Sequence, residues 1–165
     1  EFGGTSGYII VTPLAGWSFI PMRSETAKVI SEETLKGMQS DMDIAGPLID
    51  YAAKGYKVEL AGKENIDGKD AYKIKLTLNT GNEIIYFLDT KTYLLIQAKQ
   101  ARAGMDDNTG EREVVTNYAD YYPVDGILFP GTISNPGNDP GSGTITFNKI
   151  ELNKTIEESQ FKPSV

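Results

Sequence analysis

The chain has 165 residues, 39% of them hydrophobic and 24% charged, which is enough length and apolar content for a hydrophobic core. Its 16 Lys and Arg against 23 Asp and Glu give a net charge of −7, which argues against nucleic acid and anionic membrane surfaces as partners. The absence of Cys and His excludes disulfides, thiol nucleophiles, Ser-His-Asp triads and zinc sites built on His or thiolate ligands within this chain. No stretch has the pattern of a membrane-spanning helix or of a secretion signal.

The first elements predicted along the chain are a hairpin and two short helices. Residues 8–13 and 17–21 read as strands joined by a turn, and a polar stretch follows at 22–30. Ser31 is a good N-cap for a first helix, whose apolar residues recur at helical spacing as Leu35, Met38 and Met42. Pro47 begins a second short helix at 48–54. The two helices could lie as a lid across a sheet.

Alternating strands dominate the rest of the chain. Tyr72, Ile74 and Leu76 alternate with lysines, a period of two that places one set of side chains on one face of a sheet. Short turn sequences such as Asp67-Gly68 join successive strands and predict an antiparallel meander. The predicted strands are 56–60, 71–78, 83–88, 93–100, 113–121, 127–133 and 144–152. Such a sheet has one apolar face to bury, and that face is a candidate binding surface.

A succession of short segments resembles the LolA-like proteins, in particular the outer-membrane lipoprotein-sorting group common in Bacteroidetes. The segments include Gly46-Pro47-Leu48-Ile49-Asp50-Tyr51, Asp70-Ala71-Tyr72-Lys73-Ile74, Val124-Asp125-Gly126-Ile127 and Phe129-Pro130. The resemblance implies one α+β, mainly β domain over residues 1–165, an open, incomplete antiparallel β-barrel with short helices covering its concave face. It further implies a periplasmic or outer-membrane-associated, non-enzymatic carrier of lipid or lipoprotein acyl chains that needs no cofactor.

Compared with that family, the chain lacks the N-terminal helix and first strands, so one edge of the sheet is expected to be unpaired. A second polypeptide, a swapped partner or a truncated chain would each account for this. An unpaired edge also supports an alternative function, that of a protein–protein interaction module without lipid transport.

The candidate ligand-binding residues form a predicted apolar hollow: Trp17, Phe19, Met38, Met42, Ile85 and Phe87. Ordinary core packing is the competing interpretation for each of them. Ile85 and Phe87 are the best segment, because Ile84, Tyr86 and Leu88 make that strand apolar on its other face as well.

Acidic residues offer weaker candidates. The cluster 106–111 lacks the full pattern of a calcium loop, so a solvated loop is preferred and no metal site is predicted. The carboxylate pairs Asp41/Asp43 and Glu157/Glu158 would be needed for a hydrolase, the third hypothesis, but nothing in the sequence brings the pairs together.

Overall fold

A computed structural model describes residues 7–21, 24–38, 42–43, 45–102, 112–137 and 142–163. The chain divides into two compact units. The first holds the described residues of Glu1–Ile49 and Asn153–Val165, and the second holds those of Asp50–Leu152. No helix among the described residues is long and apolar enough to cross a membrane.

The first unit contains a three-stranded antiparallel sheet in the order β1-β2-β3, with β1 at Tyr8–Val11, β2 at Gly16–Phe19 and β3 at Lys28–Val29. The predicted hairpin is therefore confirmed. The Thr12 hydroxyl closes its turn, since it donates to the Ala15 carbonyl (2.8 Å) and accepts from the Ala15 amide (3.0 Å). The two residues of β3 lie in the stretch 22–30, which was predicted only as polar. A strand of two residues is too short to produce a periodic pattern, so the sequence does not predict it.

The first predicted helix is present as α1 at Glu32–Met38, and Ser31 caps it by accepting the Thr34 amide at 3.3 Å. The second predicted helix is wrong, because residues 47–55 form successive turns. Asp50 has φ 53°, outside the right-handed helical region, so a continuous helix cannot pass through it. The C-terminal segment contains a short 3₁₀ helix at Glu158–Phe161.

The second unit is built on a seven-stranded antiparallel sheet in the order β12-β11-β8-β7-β6-β5-β4. Its strands are β4 Lys57–Ile66, β5 Lys69–Thr77, β6 Glu83–Asp89, β7 Leu95–Arg102, β8 Arg112–Ala119, β11 Thr132–Asn135 and β12 Gly143–Thr146. A separate hairpin pairs β9 Tyr122–Val124 with β10 Ile127–Phe129. Within the described part of the chain the sheet does not close into a barrel, since β4 and β12 are its two edges. The described residues of this unit contain no helix, so the predicted helical cover is not seen within it.

The turns of the meander follow the sequence prediction. Asp67 (φ 49°) and Gly68 (φ 85°) form the two-residue turn between β4 and β5, where positive φ at both positions matches strand twist. The Asn65 side chain accepts the Gly68 amide at 2.9 Å. Between β6 and β7, the Asp89 carboxylate accepts the Thr92 and Lys91 amides, both at 2.8 Å, and these bonds lower the pKa of Asp89.

Several predicted strands have different limits in the structure; the strand predicted at 56–60, for example, extends to Ile66 as β4. The predicted strand 127–133 is interrupted at Pro130-Gly131 and contributes to both β10 and β11. Gly131 is buried at this break, where its amide donates to the Ala119 carbonyl (3.0 Å) and its carbonyl accepts the Phe147 amide (2.9 Å). The predicted strand 144–152 ends as a paired strand at Thr146.

Candidate functional site

The register of the seven-stranded sheet assigns each side chain to one of two faces, because directly opposed residues of antiparallel strands share a face. One row runs across five strands as Leu60, Ile74, Tyr86, Ala98 and Thr116. Alternation places Leu76, Ile84 and Tyr118 on the same side, and Tyr118 opposes Ile133, which opposes Ile145. We call this surface the apolar face; it is defined by Leu60, Ile74, Leu76, Ile84, Tyr86, Ala98, Tyr118, Ile133 and Ile145.

The exposure of the apolar face varies from its centre to its edges. Leu76, Tyr86 and Ala98 are buried at the centre, whereas Leu60 on β4 is 65% exposed and Ile145 on β12 is 59% exposed. Burial, with a smaller contribution from Tyr118, raises the pKa of Tyr86 to about 12. The Tyr86 hydroxyl therefore stays neutral at physiological pH, and stability that depends on the neutral form is lost only as the pH rises from about 10 toward 12. The apolar face thus extends to both open edges of the sheet and carries no ionised group at its centre.

Lysine side chains distinguish the opposite face of the same sheet. Lys75 and Lys99 oppose Ile85 on its two sides, and Lys73 opposes Phe87. The ammonium of Lys99 lies 5.2 Å from the centre of the Phe87 ring, and that of Lys73 lies 5.8 Å from it. We call this surface the lysine face; it is defined by Lys73, Lys75, Ile85, Phe87, Gln97, Lys99, Val115 and Asn117.

Polar pairs hold the lysine face together. Lys73 forms an ion pair with Glu64 at 3.0 Å, and a hydrogen bond to Glu83 raises the pKa of Lys75. The side-chain amide of buried Gln97 donates a hydrogen bond to the side-chain oxygen (Oδ1) of Asn117 at 2.9 Å. This face is therefore a polar surface with a buried aromatic ring beneath it, and not an apolar hollow.

The predicted residues Ile85 and Phe87 both lie on the lysine face. Phe87 is only 1% exposed, so its ring offers almost no surface to a ligand in this conformation, whereas Ile85 is half-buried. Whether either residue contacts a ligand stays a prediction. The alternation of Ile74 and Leu76 with lysines had marked the apolar face in the sequence, but the residues predicted on β6, Ile85 and Phe87, lie on the other side of the sheet.

The predicted residues of the first unit form a second apolar patch. Trp17 and Phe19 are two residues apart on β2, so they share a side of the three-stranded sheet, where Phe19 opposes Tyr8. The Tyr8 and Phe19 rings lie 5.4 Å apart. On the other side of that sheet, Gly16 faces Ile30 and Leu35, and each would lie 3.1 Å from a Cβ built at Gly16. The three-stranded sheet therefore packs on α1 by one side and carries Trp17 and Phe19 on the other.

The two predicted methionines also belong to the first unit. Met38 is the last residue of α1 and Met42 follows the helix, and both are half-buried. The structure thus groups Trp17 with Phe19 in one unit and Ile85 with Phe87 in the other. A single hollow containing all six predicted residues stays a prediction.

The acidic candidates acquire no chemistry from the structure. The cluster 106–111 and Asp41 lie outside the described residues, and Glu157 and Glu158 are exposed. Among the residues that are described, no three carboxylates converge on a point where they could hold a metal ion.

Comparisons with known proteins identify the fold. No family model and no curated protein matches the chain. Three solved structures do, beginning with a LolA superfamily protein from Nitrosomonas europaea, which is 14% identical with a TM-score of 0.54 over 98% of this chain and 72% of that one. A DUF1329 family protein from Desulfovibrio piger is 20% identical with a TM-score of 0.53, covering 90% of this chain and 62% of that one.

The third structure, from Vibrio parahaemolyticus, is described as an outer membrane lipoprotein-sorting protein domain. It is 15% identical, with a TM-score of 0.49 over 89% of this chain and 63% of that one. The chain therefore spans between about three fifths and three quarters of the length of these proteins. At such low identity the first two likenesses establish the fold alone, and the fold is LolA-like.

Proposed function

We propose that this chain is a non-enzymatic binding or carrier protein that receives the acyl chain of a lipid or lipoprotein on its apolar face, in the periplasm or at the outer membrane. The observation that carries the proposal is an apolar face that extends to both edges of a sheet that stays open within the described residues. The LolA-like fold supports it, since one of the similar structures is described as a LolA superfamily protein.

The energetics suit an acyl chain better than a polar ligand. Each methylene removed from water contributes about 0.8 kcal/mol, so about ten methylenes against this face contribute about 8 kcal/mol before the cost of association. The polar groups among the large side chains on this side of the sheet are the hydroxyls of Tyr86 and Tyr118 and the amide of Gln100, which opposes Ile84, and the raised pKa of Tyr86 keeps its hydroxyl neutral. The face therefore favours a long apolar chain and has few groups that could bind a charged headgroup.

The patch around Trp17 and Phe19 is proposed as a separate apolar contact within the first unit. Met38 and Met42 stay proposed as adaptable apolar side chains of the same unit, where α1, which ends at Met38, packs on the other side of the three-stranded sheet. Trp17 is the chain's single tryptophan, so its fluorescence reports on this patch alone. Ile85 and Phe87 would contact the ligand only where it also reaches the lysine face.

A matched pair of variants on β4 tests the apolar face. Leu60 is on the apolar face and Glu59 is on the opposite face, and both are exposed, so neither change should unfold the protein. We expect Leu60→Gln to weaken binding of a fluorescent fatty acid by about fivefold, since losing part of a leucine contact costs about 1 kcal/mol. The measurement is a fluorescence titration of the full chain.

Glu59→Gln is the control, because it introduces the same side chain one residue away on the other face. Its dissociation constant should match that of the unchanged protein. Equal weakening in both variants, or no uptake of the fatty acid by the unchanged protein, would remove the proposal.

The second candidate function is the interaction module that acts through a sheet edge. One observation favours it: β12 is an exposed edge strand without a charged side chain. The two functions are compatible, since one uses a face of the sheet and the other an edge.

A further inference from the structure

The two edges of the seven-stranded sheet differ in their protection against strand pairing. β4 is long, but it carries Lys57, Glu59, Lys63 and Glu64 and is interrupted by a bulge between Leu60 and Gly62. Charged side chains and bulges are the features by which edge strands resist the addition of another strand. β12 has neither feature, and all four of its residues are exposed. The open edge that can accept a strand is therefore β12.

The hydrogen bonds of β12 show which of its backbone groups face outward. The Phe147 amide donates to the Gly131 carbonyl at 2.9 Å, so Phe147 points its backbone groups toward β11. In an antiparallel ladder these groups alternate inward and outward along a strand. Gly143 and Ile145 therefore also face β11, and Thr144 and Thr146 present their amides and carbonyls at the open edge.

We propose that β12 pairs with β12 of a second copy of this chain, in an antiparallel register centred on Ile145. In that register Thr144 of each copy opposes Thr146 of the other. All four of these residues have outward-facing backbone groups, so they form two hydrogen-bonded pairs with two bonds each. Ile145 opposes its counterpart at the central, non-hydrogen-bonded position, where side chains approach most closely. Gly143 opposes Phe147, whose ring can cover the glycine.

We propose a second copy of the chain as the partner because the segment 143–147 is complementary to itself. The segment 143–147 has no charged side chain, so no like charges oppose one another in the symmetric register. Threonine–threonine pairs across strands are favourable, and the two exposed Ile145 side chains remove apolar surface from water when they pack together. Five paired residues bury less than the about 1,200 Å² of a standard stable interface, so the dimer forms and dissociates with concentration.

Amide hydrogen exchange of the unchanged full chain provides the main test, combined with sedimentation equilibrium from about 1 µM to about 1 mM. We expect the Ile145 and Phe147 amides to be protected at every concentration, because they bond to β11. The Thr144 and Thr146 amides should exchange rapidly when dilute and become protected as the dimer appears. The proposal would be overturned if the protein stayed monomeric across the whole range, or if the exchange rates of the Thr144 and Thr146 amides did not change with protein concentration.

A matched pair of variants tests whether the outward-facing amide of Thr146 is needed for dimerisation. Thr146→Pro removes that amide, which an edge strand tolerates when the lost group faces solvent. Thr146→Val keeps the amide and the branched shape. We expect Thr146→Pro to weaken dimerisation at least tenfold and Thr146→Val to leave it within about twofold. Equal effects would contradict strand pairing, and protection of Thr144 and Thr146 only on adding another protein would replace the second copy by a different partner.

Discussion

Replacing Phe87 with alanine should lower the free energy of unfolding by about 3–5 kcal/mol, the range found when a large core side chain is truncated. Phe87 is the largest fully buried side chain among the described residues, at 1% exposure. Its ring also supports the stems and ammonium groups of Lys73 and Lys99, which would lose their contacts with it. Chemical denaturation of the unchanged protein and the variant measures the difference.

Tyr93→Ala is the control for this aromatic truncation. Tyr93 is 66% exposed and stacks on Tyr72 with the ring centres 6.1 Å apart. Its loss should cost no more than about 1.5 kcal/mol, the value of such a ring pair. Comparable losses at Phe87 and Tyr93 would mean that the lysine face is not packed over a buried ring.

Gly131→Ala should destabilise the protein by about 2–3 kcal/mol, near the upper end of the cost of overpacking. A Cβ at this position would lie 2.6 Å from the Asp120 carbonyl oxygen, and that oxygen belongs to the backbone and cannot rotate away. The shift needed to relieve the contact would disturb the bonds of Gly131 to Ala119 and Phe147. Thermal or denaturant unfolding is the measurement.

Thr132→Val is the control for Gly131→Ala, because it removes a neighbouring polar contact without adding an atom beside the Asp120 backbone. Its hydroxyl donates to the Asp120 carboxylate at 2.6 Å in an exposed setting, so we expect a cost of about 1 kcal/mol or less. If Gly131→Ala were as mild as Thr132→Val, the break between β10 and β11 would not require glycine.

Local patterns in the sequence were sufficient to predict most of the sheet. Alternation along β5 and the Asp67-Gly68 turn are properties of neighbouring residues, and they survive in the folded chain. The cap at Ser31 was predicted for the same reason. The break at Gly131 was not, because it depends on the approach of the Asp120 backbone, a contact made only after the strands pair.

The choice of face for the candidate site could not be made from one strand. β6 is apolar on both sides, so Ile85 and Phe87 are as plausible a lining as Ile84 and Tyr86. The difference comes from the neighbouring strands: Lys73 and Lys99 flank Phe87, whereas Ile74 and Ala98 flank Tyr86. That information lies in the register, which fixes the faces of all strands together.

Photolabelling with a photoreactive fatty acid would show whether an acyl chain lies on the apolar face. After irradiation of the full chain, mass spectrometry of its peptides identifies the labelled residues. We expect labels on Ile74, Ile84 and Tyr118, which are half-buried members of the apolar face. Labels confined to Ile85 and Val115 on the lysine face, or no specific labelling, would contradict it.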